Sequence, residues 1–262
     1  MDMTRVSACS YPLREQDWRT ALTVIADAGF DKVDLLGRMP HLSLDPKEWD
    51  PGVAMDFMAL RGLGLANLGT YVGRGFAHSD CAGREQELQD TRRAIDLAKY
   101  FGARSIRVGA GMDDPRDIER IVPWFQRAAE YAELKGIYMG FETHGGGISG
   151  QAKLCADLCQ RVGSRYFGVL YDPCNVYHYG EDYRVALSVY QEHVTHVHLK
   201  DGRFVDGRWE YTTLGEGDID IPWVVAQMNA AGYDGFYAVE HELETELPSV
   251  GLRKWFAAAK AL

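Results

Sequence analysis

The sequence has no apolar run near the roughly 18 consecutive residues that a membrane-spanning helix needs. Its N-terminus, from Met1 to Val6, also lacks the basic and then apolar pattern of a secretory signal peptide. These two absences argue against a membrane protein and against a secreted one. We therefore predict a cytoplasmic protein with no membrane partner.

Positive charge is also scarce. The chain has 28 lysines and arginines against 38 aspartates and glutamates, which gives a net charge of −10 at pH 7. The densest basic spots, such as Arg92-Arg93, are isolated pairs. Because an acidic chain repels nucleic acid unless it carries a local basic patch, we expect no nucleic-acid partner.

Cysteine is infrequent and unpatterned. The five cysteines include no CxxC spacing, and an odd number without such a pattern predicts free thiols in a reducing compartment. Cys155 and Cys159 lie four residues apart on a predicted helix. The pair could bind a soft metal ion, but two apolar thiols on a buried helix face are the simpler interpretation.

Short apolar segments typical of strands alternate with amphipathic helical segments along the whole chain. Eight such units in 262 residues match the pattern and size of a (β/α)8 TIM barrel. No Pro/Ser-rich linker divides the chain, so we predict one domain over residues 1–262. An open doubly wound sheet is the alternative, but no GxGxxG follows the first strand. The predicted strands are Arg5–Ser10, Lys32–Leu36, Leu65–Gly69, Ser105–Gly109, Ile137–Glu142, Phe167–Asp172, Val194–Lys200 and Phe236–Glu240.

The predicted helices lie between and after these strands. They are Trp18–Ala28, Val53–Gly62, Arg84–Phe101, Ile118–Lys135, Ala152–Val162, Tyr183–Glu192, Ile221–Ala231 and Val250–Ala261. A glycine between a helix and the next strand indicates a left-handed residue that ends the helix. Six glycines have this position: Gly29, Gly64, Gly102, Gly136, Gly163 and Gly232.

Four side chains of the metal-ligand type lie at the ends of four successive predicted strands. They are Glu142, Asp172, His198 and Glu240. A single acid after a strand is ordinarily a helix cap or a solvated loop residue, but four at equivalent positions favour a shared site. The carboxyl ends of barrel strands meet at one face. Three carboxylates and an imidazole would there form an oxygen-rich site for a divalent cation.

Five motifs resemble the sugar phosphate isomerase/epimerase superfamily of xylose-isomerase-like TIM barrels. They are Glu-Thr-His-Gly-Gly (142–146), Asp-Pro-Cys-Asn (172–175), His-Val-His-Leu-Lys-Asp (196–201), Leu-Gly-Glu-Gly-Asp-Ile-Asp (214–220) and Val-Glu-His-Glu (239–242). The resemblance covers essentially the whole chain. It implies that Glu142, Asp172, His198 and Glu240 bind one divalent metal ion, with Mn2+ favoured and Mg2+, Co2+ or Zn2+ as alternatives.

The resemblance also implies that Glu142 and Glu240 transfer protons in an isomerase or epimerase reaction. A hydroxy ketone held by a cation becomes acidic at the carbon beside the carbonyl, and loss of that proton gives an enediolate. Return of the proton to the opposite face gives an epimer, and return to the neighbouring carbon gives an isomer. The predicted substrate is therefore a small keto-sugar, keto-cyclitol or related polyol.

Two alternative functions stay open. Loss of a β-hydroxyl from the same enediolate would make the protein a lyase or dehydratase of a 3-keto sugar or inosose. The second alternative is a barrel that binds a sugar or a metal ion without catalysis. Such a barrel would not need a pair of glutamates. A DNA-repair endonuclease is disfavoured, because the related endonuclease branch has a histidine where Asn175 stands.

Five further residues are candidate substrate contacts: His41, Arg107, His144, Asn175 and Lys200. Only Lys200 and Arg107 supply positive charge near the predicted mouth, which favours an unphosphorylated substrate. The sequence leaves the oligomeric state open, including a homo-oligomer.

Overall fold

The eight predicted strands form a closed parallel barrel in the computed structural model, which describes residues 1–78, 80–110, 114–243 and 245–262. The TIM-barrel prediction is therefore confirmed. Around the barrel the strand order is β1-β10-β7-β6-β5-β4-β3-β2. These strands are β1 (Val6–Cys9), β2 (Lys32–Leu36), β3 (Gly64–Gly69), β4 (Ser105–Val108), β5 (Tyr138–Glu142), β6 (Phe167–Tyr171), β7 (Val194–Leu199) and β10 (Tyr237–Val239).

Helices connect the strands and cover the barrel with apolar faces that bury residues such as Ile25, Ile95, Phe125, Leu158 and Trp255. Of the helices in the described parts of the chain, none combines the length and the hydropathy that a bilayer span requires. The helices are α1 (Trp18–Asp27), α2 (Pro51–Leu60), α3 (Cys81–Phe101), α4 (Ile118–Lys135), α5 (Ala152–Val162), α6 (Pro173–His178), α7 (Tyr183–Tyr190), α8 (Ile221–Ala230) and α9 (Pro248–Ala261).

An antiparallel hairpin between β7 and β10 was not predicted from the sequence. It consists of β8 (Asp201–Val205) and β9 (Arg208–Thr212). The carboxylate of Asp201 fixes its base, because it accepts hydrogen bonds from the backbone N–H groups of Gly202, Gly215, Gly217 and Ile219 at 2.9–3.1 Å. These bonds explain the Leu-Gly-Glu-Gly-Asp-Ile stretch: a Cβ on Gly217 would lie 2.2 Å from Oδ1 of Asp201.

The short helix α6 is the second unpredicted element. Tyr177 and His178 are its last two residues. The ring of His178 stacks on Trp209 of the hairpin at 4.7 Å between centroids, and Tyr177 lies 6.0 Å from Phe204. The hairpin and α6 therefore pack together beside the carboxyl ends of β6 and β7.

Candidate metal centre

The strand ends bring the four predicted ligands together. Glu142 is the last residue of β5, His198 lies one residue before the end of β7, and Asp172 and Glu240 directly follow β6 and β10. Each residue offers one ligand atom, and these four atoms all lie within 4.8 Å of one another. Asp172, His198 and Glu240 are buried, and the Glu142 side chain is only 13% exposed.

The imidazole of His198 is held from both sides. Its Nδ1 lies 3.2 Å from Oε1 of Glu142 and 3.5 Å from Oε2 of Glu240, while its Nε2 lies 2.9 Å from Oδ2 of Asp34. Because the Asp34 carboxylate can only accept, Nε2 carries the proton and Nδ1 faces the carboxylate ligands. Burial alone lowers the pKa of His198, but the charge of Glu240 and the bonds to the carboxylates raise it well above its usual range.

Asp34 is part of a buried polar layer beneath the ligands. Its Oδ2 also accepts from Nε2 of His196 at 3.0 Å, and its Oδ1 accepts from Nδ2 of Asn67 at 2.9 Å. The Oδ1 of Asn67 in turn accepts from Ser105 at 2.7 Å. Burial raises the pKa of Asp34, but the bonds from His196 and His198 outweigh it and hold the pKa below its usual range. Carboxylates that orient a ligating histidine in this way are a common part of metal sites.

Asp34 was not predicted from the sequence. Its only signal was an aspartate between the apolar residues of the strand Lys32-Val-Asp-Leu-Leu, and this signal does not indicate which residue the carboxylate contacts. The distance of 164 residues between Asp34 and His198 makes the pairing visible only in the folded barrel.

Lys200 binds several carboxylates at once. Its Nζ lies 2.9 Å from Oε2 of Glu240, 3.1 Å from Oε1 of Glu242 and 3.2 Å from Oδ2 of Asp172. Burial lowers the pKa of this ammonium, but the surrounding carboxylates raise it well above its usual range. Lys200 is therefore a permanent cation at the rim of the four-residue cluster.

One oxygen of Asp172 has no hydrogen-bond donor. Its Oδ1 caps α6 by accepting from the backbone N–H of Asn175 at 2.9 Å. Its Oδ2 is buried, and the approach of Lys200 lacks the angle of a hydrogen bond, so no donor among the described residues satisfies it. Burial raises the pKa of Asp172 to about 7. A buried carboxylate oxygen without a donor is available to bind a metal ion.

Arg107 lies against Glu142 on the other side of the cluster. Its Nη1 donates to Oε2 of Glu142 at 2.7 Å, and its Nε donates to the carbonyl of Thr70 at 3.2 Å. Burial raises the pKa of Glu142, but the charges of Arg107 and Lys200 and the contact with His198 outweigh it and hold the pKa below its usual range. Glu142 is thus ionised and fixed in place.

The charge balance fits a divalent cation. Five carboxylates meet here, those of Asp34, Glu142, Asp172, Glu240 and Glu242, and among the described residues they face three positively charged groups, Arg107, Lys200 and the imidazole of His198 with its raised pKa. Three carboxylates and one imidazole nitrogen are ligands that Mn2+, Mg2+, Co2+ and Zn2+ accept. The residues present therefore fit the predicted metal.

A second group, Cys9, Asp34 and His198, also has its ligand atoms within 4.8 Å. It is less suited to a metal ion. The two carboxylate oxygens of Asp34 already accept hydrogen bonds, and burial raises the pKa of the Cys9 thiol well above its usual range. The protonated thiol instead approaches Oε1 of Glu240 at 3.4 Å.

Two of the remaining candidates use their polar atoms inside the protein. The ring nitrogens of His41 contact Oγ of Ser10 at 2.9 Å and the carbonyl of Leu13 at 3.0 Å. Nδ2 of Asn175 donates to the carbonyl of Thr143 at 3.1 Å. Both side chains are buried, and their predicted contacts with substrate stay predictions.

His144 lies outside the four-residue cluster. Strand β5 ends at Glu142, so His144 lies in the loop two residues beyond the strand. Its ring is exposed and lies 5.1 Å from that of Tyr179. A role in substrate binding stays a prediction for this residue as well.

The chain matches known proteins over most of its length. SgbU from Escherichia coli, which bears the provisional name L-ribulose-5-phosphate 3-epimerase, is 22% identical over 264 residues, 94% of this chain and 92% of SgbU. The inosose dehydratase of Erwinia tasmaniensis is 23% identical over 265 residues, 87% of this chain and 84% of the dehydratase. These names support the prediction of a sugar-modifying enzyme.

A solved structure shows the same fold. The crystal structure of IOLI protein with a bound zinc atom superposes with a TM-score of 0.80 at 13% identity, covering 98% of this chain and 97% of that one. The family model described as the xylose isomerase-like TIM barrel matches residues 22–259. The chain therefore belongs to the xylose isomerase-like TIM barrel family.

Proposed function

We propose that this chain is a divalent-metal-dependent isomerase or epimerase of a small keto-sugar, keto-cyclitol or related polyol. The observation that carries the proposal is the convergence of ligand atoms from Glu142, Asp172, His198 and Glu240 within 4.8 Å. A divalent cation held by these four residues would supply Lewis acidity at the substrate's carbonyl and hydroxyl oxygens. Mn2+ is the metal we would test first.

The chain's own residues would carry the proton transfer. The carboxylates of Glu142 and Glu240 both approach Nδ1 of His198, at 3.2 and 3.5 Å, and both have pKa values held below the usual range. For Glu240 burial raises the pKa, but the charges of Lys200 and His198 outweigh it. Each is thus ionised and able to accept a proton from a carbon beside the carbonyl.

Arg107 and Lys200 would position these two carboxylates. Arg107 fixes Glu142 through Oε2, and Lys200 fixes Glu240 through its own Oε2. Both cations also favour the negative charge that develops on an enediolate oxygen. One carboxylate would remove the proton from one face of the substrate, and the other would return it on the opposite face or to the neighbouring carbon.

A dehydratase is the second candidate, and the match to inosose dehydratases favours it. It would use the same metal ligands and the same first proton removal. The two functions differ in the product: an isomerase or epimerase keeps all atoms of its substrate, whereas a dehydratase releases water.

The test is a panel of keto-sugars and inososes incubated with the Mn2+-loaded protein in D2O and followed by NMR. We expect deuterium to enter one carbon beside the carbonyl as an isomer or epimer appears. A product that lacks one water would select the dehydratase. Binding without deuterium exchange or product on every member of the panel would favour the non-catalytic barrel.

A further inference from the structure

Three guanidinium groups surround one tyrosine ring at the mouth of the barrel. Tyr71 follows β3, and the Cζ atoms of Arg107, Arg74 and Arg38 lie 4.5, 4.8 and 5.8 Å from the centre of its ring. The three arginines come from different segments: the loop after β2, the turn after β3 and strand β4. The fold thus brings together positive charges that are far apart in the sequence.

Two of these three guanidinium groups lack a carboxylate partner in the part of the chain that the structure describes. Arg107 pairs with Glu142, but neither Arg38 nor Arg74 forms an ion pair within the described parts of the chain. Other arginines, such as Arg127 and Arg161, have carboxylate partners. Unpaired guanidinium groups around one ring repel each other, and a bound anion would relieve this repulsion. In a protein with a net charge of −10, such a concentration of positive charge is unexpected.

The segment that carries Tyr71 is held rigidly. Thr70 donates through Oγ1 to the carbonyl of Arg107 at 2.5 Å, and the carbonyl of Val72 accepts from the N–H of Gly109 at 2.7 Å. Tyr71 is therefore fixed between two anchored neighbours. The backbone beneath the ring is thus preorganised, and the exposed side chains of Arg38 and Arg74 are the parts that would lose conformational freedom when a ligand binds.

The arginine cluster adjoins the candidate metal centre. Arg107 belongs to both, because its Nη1 contacts Glu142 while its guanidinium covers Tyr71. The strand order places β3 across the barrel from β7, which carries His198. A substrate whose keto group lies at the metal ligands would therefore extend one end towards Arg38 and Arg74.

We propose that Arg38 and Arg74, with Tyr71 between them, form a subsite for an anionic group at the far end of the substrate. The group is a carboxylate or a phosphate, because both offer the paired oxygens that a guanidinium binds with two hydrogen bonds. This inference rests on the proposed function and narrows it to keto acids or sugar phosphates. It also adds an anionic group to the substrate expected from the sequence, where the preference for an unphosphorylated substrate counted only Lys200 and Arg107, and it leaves open whether that group is a phosphate.

The experiment compares matched neutral and anionic substrates. The Mn2+-loaded protein is assayed with L-ribulose against L-ribulose 5-phosphate, and with an inosose against a ring keto acid of similar size. For each pair the ratio of kcat/KM, anionic over neutral, is measured in wild type, Arg38→Gln, Arg74→Gln and the double variant. Preference for the phosphate ester or for the keto acid identifies the anion.

The control is Arg19→Gln. Arg19 is also an exposed arginine stacked on an aromatic ring, with its Cζ 4.1 Å from the ring centre of Trp18, but it lies on helix α1 outside the mouth. Arg74→Lys keeps the charge and should restore part of the loss. We expect each Gln substitution to lower the ratio about tenfold or more, since a charge-assisted hydrogen bond commonly contributes that much.

A binding measurement separates this inference from the proposed function. Inorganic phosphate is titrated into the metal-free protein by calorimetry, and the double variant should bind it at least about tenfold more weakly than wild type and Arg19→Gln do. Metal-dependent turnover without anion preference, with phosphate binding equal in all variants, would overturn the subsite and leave the proposed function standing. Phosphate binding that depends on Arg38 and Arg74 but comes with no turnover would overturn the function instead.

Discussion

Nε2 of His198 lies 2.9 Å from Oδ2 of Asp34, and both side chains are buried. This contact turns Nδ1 of His198 towards Glu142 and Glu240. The orientation of the imidazole therefore depends on a carboxylate that touches neither glutamate, and Asp34 acts as a positioning residue for the candidate metal centre.

We predict that Asp34→Asn lowers the affinity for Mn2+ about 10- to 100-fold, the usual effect of losing a carboxylate behind a ligating histidine. The amide cannot accept from Asn67, His196 and His198 together, because one of its two ends is a donor. Competition with a metal chelator measures the affinity. Asp31→Asn, at an exposed residue just before β2, is the control. Equal affinities in the two variants would show that Asp34 does not act on the metal.

All four ligands should be necessary for metal binding. We expect His198→Ala and Asp172→Ala to reduce the metal content well below that of wild type, as measured by elemental analysis after dialysis. In wild type, metal at a hundredfold excess over Kd should stabilise the fold by about 2.7 kcal/mol, visible as a higher Tm. Asp56→Ala, on the exposed face of α2, should leave both readouts unchanged. Full occupancy in both ligand variants would place the metal elsewhere.

The sequence predicted the barrel because its strands and helices each have a local pattern. The prediction that glycines end helices is confirmed where the glycine is left-handed, as at Gly102 and Gly136, whose φ angles are 68° and 71°. The exception follows α2, where Gly62 takes the left-handed conformation with φ of 68° and Gly64 already belongs to β3. Because Gly62 and Gly64 are only two residues apart, the sequence fits either of them as the glycine that ends the helix. The position where β3 begins shows that it is Gly62.

The four residues of the candidate metal centre could be brought together from the sequence for a similar reason, since each one lies at the end of its own strand. Asp34, Tyr71, Arg38 and Arg74 could not, because their significance comes from neighbours in space. The hairpin β8–β9 does have a local signal, the two-residue turn Asp206-Gly207, in which both residues have positive φ, 48° and 76°. The contacts of Asp201 that fix the hairpin have none, because they reach N–H groups up to 18 residues away. No periodic pattern of residues predicts a hydrogen bond over that separation in the sequence.

Asp201 provides a prediction on stability. Asp201→Ala removes a buried acceptor from four backbone N–H groups, and we expect a loss of about 3 kcal/mol in the free energy of unfolding. Urea denaturation measures it. Asp218→Ala is the matched control, because Asp218 is an exposed residue of the same loop that accepts a single bond of 3.3 Å from Phe204. Similar losses in both variants would mean that the carboxylate of Asp201 is not what fixes the hairpin.

The cysteines provide a prediction on reactivity. All five are free thiols, and only Cys81 is exposed. Burial raises the pKa of Cys155 to about 12, so its thiolate is scarce at neutral pH. We expect one cysteine per chain to react rapidly when the native protein is titrated with a chromogenic disulfide. After denaturation all five should react. Cys81→Ser should abolish the rapid reaction, and its persistence would show that a buried cysteine is accessible.

The last prediction concerns Glu142 and Glu240. We expect Glu142→Gln and Glu240→Gln to keep the fold, because an amide preserves the shape and still offers one oxygen to a metal ion. Neither amide can accept a proton from carbon, so kcat should fall by about 10²–10⁴-fold, the usual contribution of a general acid or base. Circular dichroism and metal content are measured on the same samples, so that a loss of structure or of metal is not mistaken for a loss of proton transfer.

The two variants should also differ from each other. If the glutamates work on opposite faces of the substrate, the variant that retains the base will still exchange the substrate's proton with D2O while failing to form product. The variant that lacks the base will do neither. NMR of the recovered substrate therefore assigns the two roles. Near-wild-type kcat in both variants would restrict Glu142 and Glu240 to metal ligation, and Lys200 or His144 would then be the proton-transfer groups to substitute next.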